Sequence, residues 1–212
     1  MSITYRNVLA GAAGQTTGSD SDAYQIEKSL RFNSADTPYL SRNPASLGNK
    51  FKWTWAGWVK RSNIGASYER IWASEKDGNN VSCLRFSGSG ATGFQLNFHA
   101  HTLGDYFSNA LFRDPSAWMH IVFNFDSSNE TQSERCKAWV NGVELTAASN
   151  TFSQHDTPTI NTTDIQEIGR SKHHSTYSNF LLSDIYFLDG LNLTPAAFGS
   201  FDSNTGVWNP KA

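Results

Sequence analysis

The 212-residue chain is short of the features that announce a chemistry by themselves. Its two cysteines, Cys83 and Cys136, are too few for a disulfide scaffold, and neither belongs to a CxxC pair or a zinc-ligand run. Both therefore read as buried thiols in strands. Charge of one sign is also lacking: 17 Lys and Arg against 19 Asp and Glu leave a formal charge of -2. That provides no footprint for nucleic acid or for an anionic membrane at the level of the whole chain. No stretch approaches the roughly 20 apolar residues needed to span a bilayer, so no membrane insertion is expected. The opening "MSITYRNVLAGAAG" breaks into Gly and Ala after a few apolar residues and has no basic start, so no secretory signal is read there. A Gly-x-Ser-x-Gly elbow and a phosphate-cradling loop are missing too. What is left is a chain long enough to bury a full core as one β domain of about 200 residues.

Two segments differ in character. Residues 7 to 23, "NVLAGAAGQTTGSDSDA", are small and polar without periodicity, and residues 1–23 read as an arm or linker that orders only against a partner. Residues 24–212 read as the folded domain with a C-terminal tail, and from Tyr24 onward the pattern has period two, the mark of strands. "SLRFNS", "PYLSR", "FKWTWAGWVKR", "ERIWASE", "SCLRFSG", "GFQLNFHAH", "AWMHIVFNFD", "KAWVNGVEL", "QEIGRS" and "FLLSDIYFLDG" are the predicted strands. In the third, Phe51, Trp53, Trp55, Gly57 and Val59 share one face, and Lys52, Thr54, Ala56, Trp58 and Lys60 the other. "KDGNN" and "GSGATG" are turn chemistry, and Asn141-Gly142 predicts a tight type I′ hairpin turn. Only "TPAAFGSF" has a helical look, with Thr194 as N-cap and Pro195 at the first helical position. Many short strands with frequent turns predict an all-β, two-sheet antiparallel sandwich.

The order of these strands, from "SLRF" through "F…W.GWVK", "WMHIVFNFD", "AWVNGVEL" and "IGRS" to "FLLSDIYFLDG", resembles the concanavalin A-like jelly roll in its laminin G and pentraxin-like form. The resemblance covers roughly Ser29 to Phe198. The end of the chain, "YFLDGLNLTPAAFGSFDSNTGVWNPKA", is similar to laminin G-like modules in virion proteins of tailed bacteriophages, which carry a Phe-Gly-x-x-Asp-x-x-Thr-Gly-Val-Trp segment. The resemblance implies a non-enzymatic virion protein, made in the host cytoplasm and displayed on a tail fibre or capsid. It implies host-surface glycan and other virion proteins as partners, and a homo-oligomer. A capsid decoration or knob protein without a ligand is the alternative, and a polysaccharide depolymerase the third. Glycan-cleaving relatives carry a Glu-x-Asp-x-x-Glu strand, and the acidic residues here are scattered singly instead.

Candidate site residues follow. "FQLNFHAH" puts Leu96 and Phe98 on one face and Gln95, Asn97, His99 and His101 on the other, a polar row suited to sugar hydroxyls or to a metal held by two His. Trp58, opposite the inward row of Trp53 and Trp55, and Trp72 are the candidates for stacking on a sugar, while Trp118 and Trp139 join the expected core. Calcium is the cofactor that the resemblance implies. The position after the Ile-Gly strand reads Ser171, Lys172, His173, His174, without a carboxylate, so the expected ligands are Asp77 with Asn79 and Asn80, or Asp126 with Asn129. Anchoring to the virion is assigned to the arm, at Asn7, Val8 and Leu9, and to Trp208 in the tail.

Overall fold

The computed structural model describes residue 24 and residues 26–64, 68–87 and 94–211. The expected anchoring residues Asn7, Val8 and Leu9, like the whole 1–23 arm, lie outside the described residues. In chain order the strands are β1 (Leu30–Phe32), β2 (Leu40–Arg42), β3 (Lys52–Arg61), β4 (Glu69–Asp77), β5 (Asn80–Phe86), β6 (Gln95–Ala100), β7 (Gly104–Leu111) and β8 (Trp118–Asp126). They continue as β9 (Cys136–Val140), β10 (Val143–Glu144), β11 (Ala147–Asn150), β12 (Ile165–Ile168), β13 (Arg170–Ser171), β14 (Thr176–Tyr177), β15 (Phe180–Asp189), β16 (Gly199–Phe201) and β17 (Trp208–Pro210). Two antiparallel sheets face each other, one in the order β1-β15-β3-β8-β9-β10 and the other β11-β7-β6-β5-β4-β12-β2. This is the jelly-roll sandwich, all β, with the hairpins β13–β14 and β16–β17 attached outside the sheets.

The alternation in β3 explains the layering. Trp53, Trp55 and Val59 are buried on the inner face, where Trp53 meets Phe98 of the opposite sheet at 5.3 Å and stacks on Phe125 at 5.4 Å. Each such ring buries roughly 150–250 Å², worth several kcal/mol, so the row closes the two sheets on each other. One charged pair crosses the same interior: Arg61 at the end of β3 is fully buried and ion-paired with Glu69 of β4 at 2.7 Å. Burial pushes the Glu69 carboxyl up and the Arg61 guanidinium pulls it back down, leaving it raised. At the other end, Asn141 (φ 49°) and Gly142 (φ 78°) join β9 to β10 with both φ positive, the geometry of a type I′ turn. The indole of Trp208 fills the space beside Gly142 that a Cβ would need.

The outer face of the six-stranded sheet departs from expectation. A single 3-10 turn (Pro195–Ala197) replaces the expected helix, and β16 and β17 then fold the tail back over β3, β8 and β9. Trp58 is consequently 2% exposed, packed beside His120 at 5.2 Å, and is unavailable as a stacking platform. Trp139 faces this same layer, with Ala56, Val122 and Phe198, rather than the inter-sheet core. Trp208 is buried against His120 and Phe201 of its own chain, so its ring is spent on the fold and not free to anchor a neighbouring subunit. Alternation identified the non-core face of β3, and the tail then covered it.

A bulge in β15, between Ser183 and Tyr186 with Asp184 at φ 44°, resolves another conflict. Strict alternation after Phe180 and Leu182 would send Asp184 into the core. The extra residue leaves Asp184 outside, bonded to the Tyr24 hydroxyl at 2.7 Å, and turns Ile185 and Phe187 inward instead.

Candidate functional site

Two open edges meet on one side of the sandwich. β2 is the edge of the seven-stranded sheet, and β1 pairs with β15 only over Phe180–Leu182, leaving the bulged half of β15 without a strand partner on that side among the described residues. Between them lies a groove of about 490 Å³. Its walls are β2 with the following loop, residues 44–48, on one side and Ile185 and Phe187 on the other; Trp55 and Trp72 form the floor. Trp72 and Phe187 are packed edge to face at 4.5 Å, so the aromatic floor continues into the wall. Volume and lining fit the usual small-molecule cleft, mostly apolar with a few fixed polar groups.

Those polar groups sit at defined places. Gln166 of β12 donates from Nε2 to Ser74 Oγ (2.7 Å) and to the Asp164 carbonyl (3.1 Å), while its Oε1 is buried without a hydrogen-bond partner. At the other end, Asp189 accepts from the Asn49 backbone N–H (2.7 Å) and from Asn161 Nδ2 (2.6 Å). The Asn161 carboxamide lies where a Cβ on residue 48 would be, 2.3 Å away, and glycine there lets the loop close on it. Arg42 stands exposed at the rim and forms no ion pair among the described residues.

The expected polar row lies elsewhere, on the outer face of the seven-stranded sheet. Asn97 is fully buried: it accepts from Arg85 Nε at 2.6 Å and donates to the Tyr106 carbonyl and Asp105, so it has nothing left for a sugar hydroxyl. His99 is half-buried and its Nδ1 is bonded to Asp105 at 2.9 Å. Burial tends to raise the Asp105 pKa, but the hydrogen bonds from His99 and Asn97 outweigh it and hold the carboxyl below its ordinary value. His101 is exposed and donates from Nδ1 to the Asn79 carbonyl at 2.6 Å. Trp72 belongs to the groove and not to this row. The five residues expected to bind ligand therefore do not form one site.

The expected calcium ligands do not fit a cation either. Asp77 caps its own turn, with both carboxylate oxygens accepting from Asn80 and one also from the Asn79 backbone. Asp126 is neutralised by Lys52 Nζ at 2.9 Å and takes further bonds from Asn192 and Ser128, while Asn129 Oδ1 caps Thr131. An oxygen that already holds an ammonium group is a poor ligand for a dication. Among the described residues no three His, Cys, Asp or Glu side chains are grouped to hold a metal.

Neither the loop at residues 44–48 nor Gln166, Asn161 and Asp189 was read as functional from the sequence. The groove joins segments more than a hundred residues apart, and "NPASLG" reads as an ordinary turn. The one local signal is Tyr186-Phe187, two adjacent aromatics in a strand, of which one must face away from the other.

The comparisons with known proteins agree with this architecture. The sequence profile described as the concanavalin A-like lectin/glucanases superfamily matches residues 33–196. The chain belongs to that superfamily. A search of curated proteins found no match. Among solved structures, domains LG4-5 of the mouse laminin alpha1 chain share the superfamily's sandwich with a TM-score of 0.55 at 12% identity, covering 80% of this chain and 44% of that one. A Bacteroides ovatus protein described as a carbohydrate-binding candidate gives a TM-score of 0.54 at 15% identity, covering 77% and 44%. The heptameric SAP-like pentraxin of Limulus polyphemus gives 0.51 at 13% identity, covering 75% and 74%. At such identities the likeness concerns the superfamily fold. No helix among the described residues is long and apolar enough to cross a membrane.

Proposed function

We propose that the protein is a non-catalytic carbohydrate-binding module whose sugar site is the groove between β2 and β15. The observation that carries this reading is a 490 Å³ cleft floored by Trp55 and Trp72, walled by Phe187 and rimmed by Arg42, Gln166 and Asp189, in a chain of lectin-type fold. Sugar rings present apolar C–H faces to aromatics and hydroxyls at their edges, and the lining offers both. The Bacteroides protein, described as a carbohydrate-binding candidate, supports the class of ligand by analogy of fold. Hydrolysis of a glycosidic bond takes two carboxyl groups facing each other across the sugar. Among the described residues Asp189 is the one carboxylate in the groove lining, and its oxygen is already held by Asn49 and Asn161, which supports binding without cleavage.

The biological setting of this reading is a bacteriophage virion, on a tail fibre or capsid, as an oligomer that meets host-surface glycan. The C-terminal segment "FGSFDSNTGVW" supports it. Saturable binding of labelled protein to intact bacterial cells and to their extracted surface polysaccharide is the test, with and without a chelator. Binding that survives chelation is expected. No binding to any strain would return the protein to the capsid decoration role, and release of reducing ends would make it a depolymerase.

A further inference from the structure

A second feature lies on the outer face of the seven-stranded sheet, away from the groove. Arg70 of β4 and Arg85 of β5 are directly opposed in register and are 4% and 7% exposed. Two like charges side by side on one face repel, and burying them costs more still unless an anion joins them. No carboxylate is ion-paired with either guanidinium among the described residues.

Their donors are only partly used. Arg70 Nη1 donates to Thr176 Oγ1 and Arg85 Nε to Asn97 Oδ1, whereas Arg70 Nε is buried without a hydrogen-bond partner among the described residues. Nearby carboxylates are committed: Glu75 accepts from Ser171 Oγ and from the His173 backbone N–H, Glu167 from Arg170 and the Lys172 backbone N–H, and Asp105 from His99 and Asn97. Tyr68, 46% exposed, lays its ring 4.0 Å from the Arg85 guanidinium.

We infer that Arg70 and Arg85 form a binding site for the acidic group of a charged sugar, a carboxylate or sulfate, with the exposed ring of Tyr68 beside it for the sugar face. Two guanidinium groups opposed in register match a planar or tetrahedral oxyanion, and their small exposed edges, joined to no carboxylate among the described residues, are where it would dock. The site goes beyond the groove reading and shares no residue with it. The formal charge of -2 on the chain means that attraction would be local to this pair and screened by salt.

The test titrates the full chain with polygalacturonate (carboxylate), heparin (sulfate) and dextran (uncharged), at low salt and at about 0.3 M salt. Binding of at least one polyanion is expected, falling with salt and at least about tenfold weaker for Arg85→Gln. Arg85→Lys, which keeps the charge and loses the fork, should fall between. Which polyanion binds identifies the group. Because Arg85 is buried, each variant is compared at unchanged circular dichroism, and Tyr68→Ala, at an exposed position, serves as a second variant expected to weaken binding. The groove is read separately, through an uncharged glycan and Phe187→Ala, so failure of the groove reading and failure of this one are separable. A natively folded Arg85→Gln protein that binds like wild type, or no polyanion binding at low salt, overturns the inference.

Discussion

Acid should loosen the C-terminal tail through one buried side chain. His120 is 2% exposed in β8, between Trp58 (5.2 Å), Phe198 (6.0 Å) and Trp208 (5.9 Å), and its Nδ1 has no hydrogen-bond partner. Burial holds its pKa down at about 4, against an ordinary value of 6.5. The unfolded chain therefore takes up a proton first as pH falls, and stability is full above pH 6.5 and lost progressively toward pH 4. A gap of about 2.5 pH units, at about 1.4 kcal/mol each, makes the full loss about 3.5 kcal/mol, of which about 2 kcal/mol is gone by about pH 5. Other groups also titrate in this range, so the quantity to read is the difference between the wild type and His120→Gln. Urea unfolding followed by tryptophan fluorescence at several pH values between 7.5 and about 4.5 gives it. The wild type should lose about 2 kcal/mol more than the variant between about pH 7.5 and 5. Parallel loss in both proteins would show that His120 is protonated without penalty, and with it that the tail does not seal this face.

Two further outcomes follow from the packing. Removing the Glu69 carboxylate with Glu69→Ala leaves Arg61 as an unpaired cation in the core and should cost about 3–5 kcal/mol in urea unfolding, far more than a surface pair would. Trp208→Ala should cost about 3–5 kcal/mol as well, since the ring fills the space beside Gly142 and covers His120; an unchanged urea midpoint would mean that the tail docks on something other than its own sheet.

How far the molecule could be read from its residues depends on range. Strict alternation in β3 and the apolar run of β8 are local, and they sorted Trp53 and Trp55 onto the inner face. The Asn141-Gly142 turn is local too, because its chemistry lies in two residues. β7 was passed over: "GDYFSNAL" mixes Ser, Asn and Ala, and only Tyr106 and Ser108 within it are buried. Trp58 and Asn97 were placed on the correct side of their strands, but alternation says which face is not the core and nothing about what later covers it. The bulge at Asp184 shifts the register by one residue, which no period-two count reveals. The groove and the arginine pair are both products of register and sheet order, which set Leu40 across the groove from Phe187 and Arg70 opposite Arg85, and a single sequence does not display such juxtapositions.

The groove beside Phe187 is the proposed carbohydrate site. The affinity of the wild type and Phe187→Ala for the glycan that binds best tests this most directly, with the two compared at unchanged circular dichroism because the ring also packs on Trp72 and Trp53. Loss of one stacking face should weaken binding about tenfold. Equal affinity of the two folded proteins would place the sugar elsewhere and contradict the account.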